Sequence, residues 1–156
     1  GAVVAGFAIV HLVLGVVVEI LRSEAVRPEP HLLARGEEGL RVPLTGGVAR
    51  DLIGEVGNGN VAVIVPDPMI DDVSNWLDKA GIDHGRATRA GLSASVTLVA
   101  VSVAKGLELD GVVVVEPAAI VEAHEQGMRA LYVALTRSTK RLTVVHARPL
   151  PAPMVG

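Results

Sequence analysis

Side chains that could act on a phosphate or a sugar are concentrated in residues 101–140, an otherwise apolar stretch. Two short sequences hold them, here called the Lys105 segment (Ala104-Lys105-Gly106-Leu107-Glu108-Leu109-Asp110) and the Arg137 segment (Leu131-Tyr132-Val133-Ala134-Leu135-Thr136-Arg137-Ser138). Lys105 beside Gly106 places a cation at a flexible turn, and the carboxylate of Glu108 can accept hydrogen bonds from a sugar hydroxyl. The planar guanidinium of Arg137 suits the paired oxygens of a phosphate.

Each segment also has a purely structural interpretation. A charged connector between two strands is commonly only solvated, and an Arg near the end of a helix can pair with the last carbonyls. Asp71 and Asp72 similarly fit the acidic first turn of a helix better than a metal site. His11, alone in an apolar run, fits a core or boundary position. Taken singly, neither segment establishes a function.

Composition limits the class of protein. Of the 156 residues, 50% are hydrophobic but only 2% are aromatic, so the core must be built from Val, Leu, Ile and Ala. Such a core is typical of a parallel sheet covered by helices. A net charge of −3 argues against a self-sufficient nucleic-acid binder. The absence of cysteine excludes disulfides and thiolate zinc sites and suits the cytoplasm, and we expect no metal site.

Hydrophobic periodicity predicts an α/β domain with a mainly parallel sheet. Strands are predicted at residues 5–10, 61–65, 96–101, 111–115 and 142–146, helices at 14–22, 48–56, 69–80 and 125–138, and a turn or short helix at 118–124. Residues 84–95 are predicted to be a polar connector, and residues 40–44 a short edge strand. Since working groups of open α/β sheets lie at the carboxyl ends of strands, we expect the Lys105 segment there.

We expect residues 1–156 to form one domain of a larger protein, because the chain begins at Gly1 rather than Met. Its predicted parts are an apolar strand and helix in residues 1–22, an irregular region at 23–47 and an α/β core at 48–150. The apolar run at residues 2–21 approaches the length of a membrane span. His11, Glu19 and the lack of a basic flank argue against that alternative, and we expect no membrane association.

Together, the order and spacing of the two segments resemble the fifth and sixth motifs of the C-terminal motor domain of UvrD/Rep-type superfamily 1 helicases. The strands Val112–Val115 and Leu142–His146 fit the same pattern, which covers roughly residues 96–151. The sequence Val113-Val114-Val115-Glu116-Pro117 and the ending Val145-His146 to Leu150-Pro151 look most like the actinobacterial HelD-type (helicase IV-like) branch. HelD-type proteins are ATP-driven factors that bind and release RNA polymerase.

The resemblance implies a RecA-like domain of the P-loop-NTPase type. Arg137 would be the catalytic arginine finger that reaches the γ-phosphate of ATP, and Glu108 would contact the ribose. Lys105 and Gly106 would shape the nucleotide-binding loop, and Ser102 would lie on the nucleic-acid side. Thr136 and Tyr132 would position the Arg137 helix. ATP and Mg would be held mainly by the N-terminal motor domain of the same protein, with DNA or RNA polymerase as the further partner.

The departures from the family pattern are also informative. The sequence contains no Gly-x-x-x-x-Gly-Lys-[Ser/Thr] loop and no convincing Walker B strand, so the isolated chain is expected to be inactive. The fourth motif is not visible, and the corresponding position reads Val10-His11-Leu12. Ala100 and Ser102 stand where DNA-translocating relatives have Thr and His. These departures leave a second hypothesis open, a helicase-fold scaffold domain without ATP coupling.

Overall fold

Seven strands among the described residues form one sheet. The structure, a computed structural model, describes residues 5–13, 16–23, 49–57, 59–88, 95–146 and 148–154. The strands are β1 (Ala5–Val13), β2 (Val16–Ser23), β3 (Val61–Val65), β4 (Gly85–Arg86), β5 (Val96–Ala100), β6 (Leu109–Val115) and β7 (Ser138–His146). Their spatial order is β1-β2-β7-β6-β3-β5-β4. The first pair is antiparallel and every other neighbouring pair is parallel, which confirms the predicted sheet.

Helices cover both faces of this sheet. They are α1 (residues 49–56), α2 (Ile70–Lys79), α3 (Pro117–Ala123) and α4 (Gly127–Leu135). Successive side chains of a strand point to opposite faces. Val112 and Val114 of β6 therefore pack beneath α3 and α4, while Val113 and Val115 pack beneath α1 and α2. Both faces are apolar, so the central strands read as continuous Val-rich runs.

One predicted helix is wrong. Residues 14–22 were expected to be helical, but Val16–Ser23 form β2, which pairs with β1 from Val13↔Val16 to Ala5↔Ser23. Three consecutive valines, Val16 to Val18, favour a strand, because branching at Cβ restricts their side chains in a helix. None of the helices in the described ranges is long and apolar enough to cross a membrane.

Other boundaries differ by a few residues. The helix expected at 125–138 is the shorter α4, and the strand expected at 142–146 begins at Ser138. The polar start of β7 was not predicted as a strand, because it lacks a hydrophobic pattern. It is a strand because it pairs with β6. The connector at 84–95 includes the short edge strand β4. The strand expected at 40–44 and most of the irregular region at 23–47 lie outside the described residues.

The turn between α3 and α4 depends on Gly127. A Cβ built on Gly127 would overlap the backbone carbonyl group of Val121, so the two helices meet backbone to backbone. Gly54 in α1 differs in that nothing lies within 4 Å of the Cβ position, and the residue is exposed. The same substitution at the two sites should therefore have opposite effects.

We expect Gly127→Ala to lower the free energy of unfolding by about 1–3 kcal/mol, because α3 must shift to admit the methyl group. Gly54→Ala should raise it by roughly 0.5–1 kcal/mol, because Ala is the better helix former. Urea unfolding of the 156-residue chain measures both. Equal effects of the two substitutions would contradict the close contact between α3 and α4.

Candidate functional site

Pairing between β6 and β7 brings the two charged segments together. Leu109, the first residue of β6, pairs with Ser138, the first residue of β7. The Leu109 N–H donates to the Arg137 carbonyl at 3.1 Å. Glu108 and Arg137, each one residue before its strand, are therefore neighbours in space although 29 residues apart in the sequence. We refer to this region as the Glu108–Arg137 edge.

The Lys105 segment starts at a carboxyl end, as expected, but the Glu108–Arg137 edge lies at the amino ends of the parallel strands β6 and β7. The Lys105 segment starts near the carboxyl end of β5, after a 3-10 helix at Val101–Val103. Since β5 and β6 both run parallel to β3, residues 101–108 must return from one end of the sheet to the other. Glu108 is thus carried to the end opposite Ser102.

A tight turn presents Lys105 to solvent. The Leu107 N–H donates to the Ala104 carbonyl at 3.2 Å, and Gly106, third in this four-residue turn, has φ 85°. A turn with positive φ at this position favours Gly. No atom lies within 4 Å of the Cβ position of Gly106, so the turn needs Gly for its dihedral angle rather than for space. Lys105 and Glu108 are exposed.

Arg137 is held against the end of α4. Its Nε donates to the Val133 carbonyl at 3.0 Å, and its Nη2 donates to the Thr136 hydroxyl at 3.2 Å. Arg137 was expected within the helix. It follows the helix instead, in the two-residue connection between Leu135 and Ser138. The structural interpretation, pairing with the last helical carbonyls, is therefore part of the observed geometry.

Thr136 and Tyr132 were both expected to position Arg137, but the structure shows different contacts for the two residues. The Thr136 hydroxyl bonds back to the Tyr132 carbonyl at 2.9 Å and touches Arg137 as well. Tyr132 is 68% exposed as a residue, and it contributes its backbone carbonyl to this arrangement. Sequence reasoning grouped the two residues because both precede Arg137, and it could not separate side-chain from backbone contacts.

Asp110 has a structural role that its position in the Lys105 segment did not reveal. Its carboxylate accepts the Asn60 N–H at 2.9 Å and pairs with the Lys140 Nζ at 3.0 Å. The hydrogen bond from Asn60 and then the hydrogen bond and charge of Lys140 hold the pKa of Asp110 below its ordinary value. These contacts join the starts of β3, β6 and β7. A Cβ on Gly59 would meet this carboxylate, so Gly59 also belongs to the arrangement.

Ser102 lies apart from the Glu108–Arg137 edge. Its N–H donates to Oδ1 of Asp67 at 3.1 Å, at the carboxyl ends of β3 and β5. The same Asp67 oxygen lies 3.7 Å from Nε2 of His124. The structure therefore brings Glu108 and Arg137 together and leaves Ser102 at the opposite end. The sequence analysis assigned no contact to Asp67. Its position directly after a buried strand and Pro66 could have indicated a polar residue at the carboxyl ends of the strands.

Comparisons with known proteins match the part of the chain that contains both charged segments. The family model described as the UvrD-like helicase C-terminal domain matches residues 95–145, which include the Lys105 and Arg137 segments. The crystal structure of the C-terminal domain of a possible DNA helicase from Lactobacillus plantarum WCFS1 superposes with a TM-score of 0.59. The identity is 22%, over 71% of this chain and 69% of that chain. No curated protein matches the chain.

Two larger helicases superpose on the chain with TM-scores below 0.5. The Hef helicase domain from Pyrococcus furiosus gives a TM-score of 0.49 at 19% identity, covering 77% of this chain and 28% of that chain. The arterivirus nonstructural protein 10 helicase, solved with DNA, gives 0.43 at 20% identity, covering 72% and 29%. The chain shares its RecA-like fold with the Lactobacillus plantarum domain. It spans under a third of each of the two larger helicases.

We expect Asp110→Asn to lower the melting temperature at neutral pH, because Asn keeps the shape but loses the charge that Lys140 and the Asn60 N–H stabilise. The folded-state pKa of Asp110 is depressed, so its contribution is complete above the unfolded value and is lost as pH falls through the folded value. The difference from wild type should therefore shrink as pH is lowered from about 7 to about 3. Thermal unfolding measured across that range checks it.

Asp83→Asn is the matched control, because Asp83 is exposed and lies outside this arrangement. A difference between Asp110→Asn and wild type that stays constant down to the lowest pH would contradict the assigned contacts.

Proposed function

We propose that this chain is the C-terminal motor domain of an ATP-dependent superfamily 1 helicase or translocase, with Arg137 as its arginine finger. One observation carries the proposal. The Arg137 guanidinium is fixed on the end of α4, and the Arg137 backbone pairs with Leu109, the residue after Glu108, so that both segments resembling helicase motifs meet at one edge. The helicase C-terminal fold and the family match over residues 95–145 support the same assignment.

The chemistry of the edge suits the phosphate and sugar of a nucleotide. A guanidinium fixed before the reaction stabilises the charge that develops on a transferring phosphoryl group, without reorganising at that moment. The exposed Glu108 carboxylate is an acceptor for ribose hydroxyls. Lys105, at the corner of the Gly106 turn, supplies a second cation to the surrounding loop.

ATP and Mg²⁺ would be held mainly by an N-terminal motor domain of the same protein, because this sequence has no phosphate-cradling loop of its own. The further partner would be DNA or RNA polymerase, in the cytoplasm. The HelD-type assignment is the finer part of the proposal. It rests on the Val113–Pro117 sequence and the ending through Pro151, and the net charge of −3 favours a protein partner.

Replacing Arg137 by Ala in the full-length protein should reduce ATP turnover by at least roughly two to three orders of magnitude. Nucleotide affinity should change less, because the arginine acts on charge that develops in the transition state. Steady-state ATPase rates and a direct nucleotide-binding titration measure the two effects separately.

Arg129→Ala is the matched control. Arg129 is an exposed Arg within α4, the helix that Arg137 follows, and its Nη1 donates to the Gln126 side chain at 3.3 Å. Turnover by Arg137→Ala equal to that of Arg129→Ala would overturn the finger assignment. A full-length protein without ATPase activity under any partner condition would instead support the scaffold hypothesis.

Glu108→Ala should raise the KM for ATP by roughly tenfold while changing kcat little, because a hydrogen bond to a charged acceptor contributes on that scale to binding. With deoxyribose analogues of ATP, the difference in KM between wild type and variant should be smaller, since these analogues lack one of the hydroxyls that the carboxylate would bind. Glu125→Ala, an exposed Glu before α4, serves as the control. An unchanged KM for ATP in the Glu108 variant would remove Glu108 from the nucleotide contacts.

A further inference from the structure

The hydroxyl of Thr136 lies between the end of α4 and the Arg137 side chain. It is 2.9 Å from the Tyr132 carbonyl and 3.2 Å from the Val133 carbonyl, and it can donate its one hydrogen to either. Because a hydroxyl also carries acceptor lone pairs, the same oxygen accepts the Nη2 hydrogen of Arg137 at 3.2 Å. Thr136 is thus hydrogen-bonded to the helix and to the arginine at once.

These contacts occupy one edge of the Arg137 guanidinium. Nε and Nη2 share that edge, and they donate to the Val133 carbonyl and the Thr136 hydroxyl, respectively. A guanidinium has five N–H donors in a rigid fork. Within the described residues, both hydrogens of Nη1 and the second hydrogen of Nη2 have no partner. One hydrogen of Nη1 and the second hydrogen of Nη2 form a pair of donors at the tip of the side chain, and such a pair suits bidentate phosphate oxygens.

We propose that Thr136 is a positioning residue for Arg137, whose hydroxyl fixes the plane of the guanidinium so that its tip faces the nucleotide. This inference rests on the proposed function of Arg137 as the arginine finger. The contact from Nε alone leaves the guanidinium able to tilt about that single hydrogen bond. The second contact, to Thr136, fixes the plane, and a fixed plane is what a transition-state contact requires.

Thr136 also helps to end α4. Its hydroxyl hydrogen-bonds to helical carbonyls that the backbone N–H groups of a longer helix would otherwise use. A role in the helix end alone predicts lower stability with no specific effect on catalysis. A positioning role predicts that kcat falls while KM and nucleotide binding are kept. It also predicts that the effect requires Arg137.

The test uses the full-length protein with four variants: Thr136→Val, Thr136→Ser, Arg137→Ala and the double variant Thr136→Val with Arg137→Ala. Single-turnover ATP hydrolysis gives the chemical step. We expect Thr136→Val, which keeps the shape without the hydroxyl, to slow that step about tenfold, the scale of one lost hydrogen bond. Thr136→Ser should restore a rate near wild type. In the Arg137→Ala background, Thr136→Val should have no further effect.

The outcomes separate the two proposals. If Arg137→Ala hydrolyses ATP like wild type, the finger assignment fails. If Arg137→Ala is impaired but Thr136→Val is not, only the positioning role fails. An equal loss on Thr136→Val in both backgrounds, or a loss that Thr136→Ser does not reverse, also overturns it. Thermal unfolding of each variant is measured alongside, and Thr136→Ser keeps the test decisive if Thr136→Val unfolds.

Discussion

The hydrogen bond from the Leu109 N–H to the Arg137 carbonyl is the contact on which the site depends. It starts the parallel pairing of β6 with β7, and that pairing sets where both charged segments end. Without it, Glu108 would end an exposed loop and Arg137 would end a separate helix. Contacts on either side support the pairing. The Thr139 hydroxyl donates to the Leu109 carbonyl at 3.2 Å, and Lys140 reaches Asp110.

The apolar strands and the amphipathic helix α2 could be predicted from the sequence because burial determines them. The run Val61–Val65 is a strand over the predicted range, since each of its residues is buried. Strands that form because a neighbouring strand pairs with them could not be predicted from the sequence. Ser138 to Arg141 are polar or charged, yet they form a strand because β6 supplies their partners. Val16 to Ser23 form a strand for a related reason, since β1 and β7 flank them.

The sequence indicates Glu108 and Arg137 as candidate site residues, and the resemblance to a family gives their proposed roles. It does not predict where in the fold the two residues lie. Which end of the sheet they occupy follows from the crossover between β5 and β6, a tertiary feature with no local signal. The hydrogen-bond partners of Asp110 could not be predicted from the sequence either. Asn60 is 50 residues away, and its backbone N–H carries no sequence signature.

Helix α4 connects the end of the sheet that carries Arg137 with the end that carries Ser102. It is 9 residues long, so it extends about 13 Å, and its C-terminal end carries Arg137. It packs against the 3-10 helix Val101–Val103, which contains Ser102. The guanidinium is bonded to the backbone of α4 rather than to a flexible loop. In the proposed motor, a displacement of α4 would therefore move Arg137 and, at the same time, change the packing of the 3-10 helix that contains Ser102. A rigid element shared by two sites is one physical means by which the state of one site can bias the other.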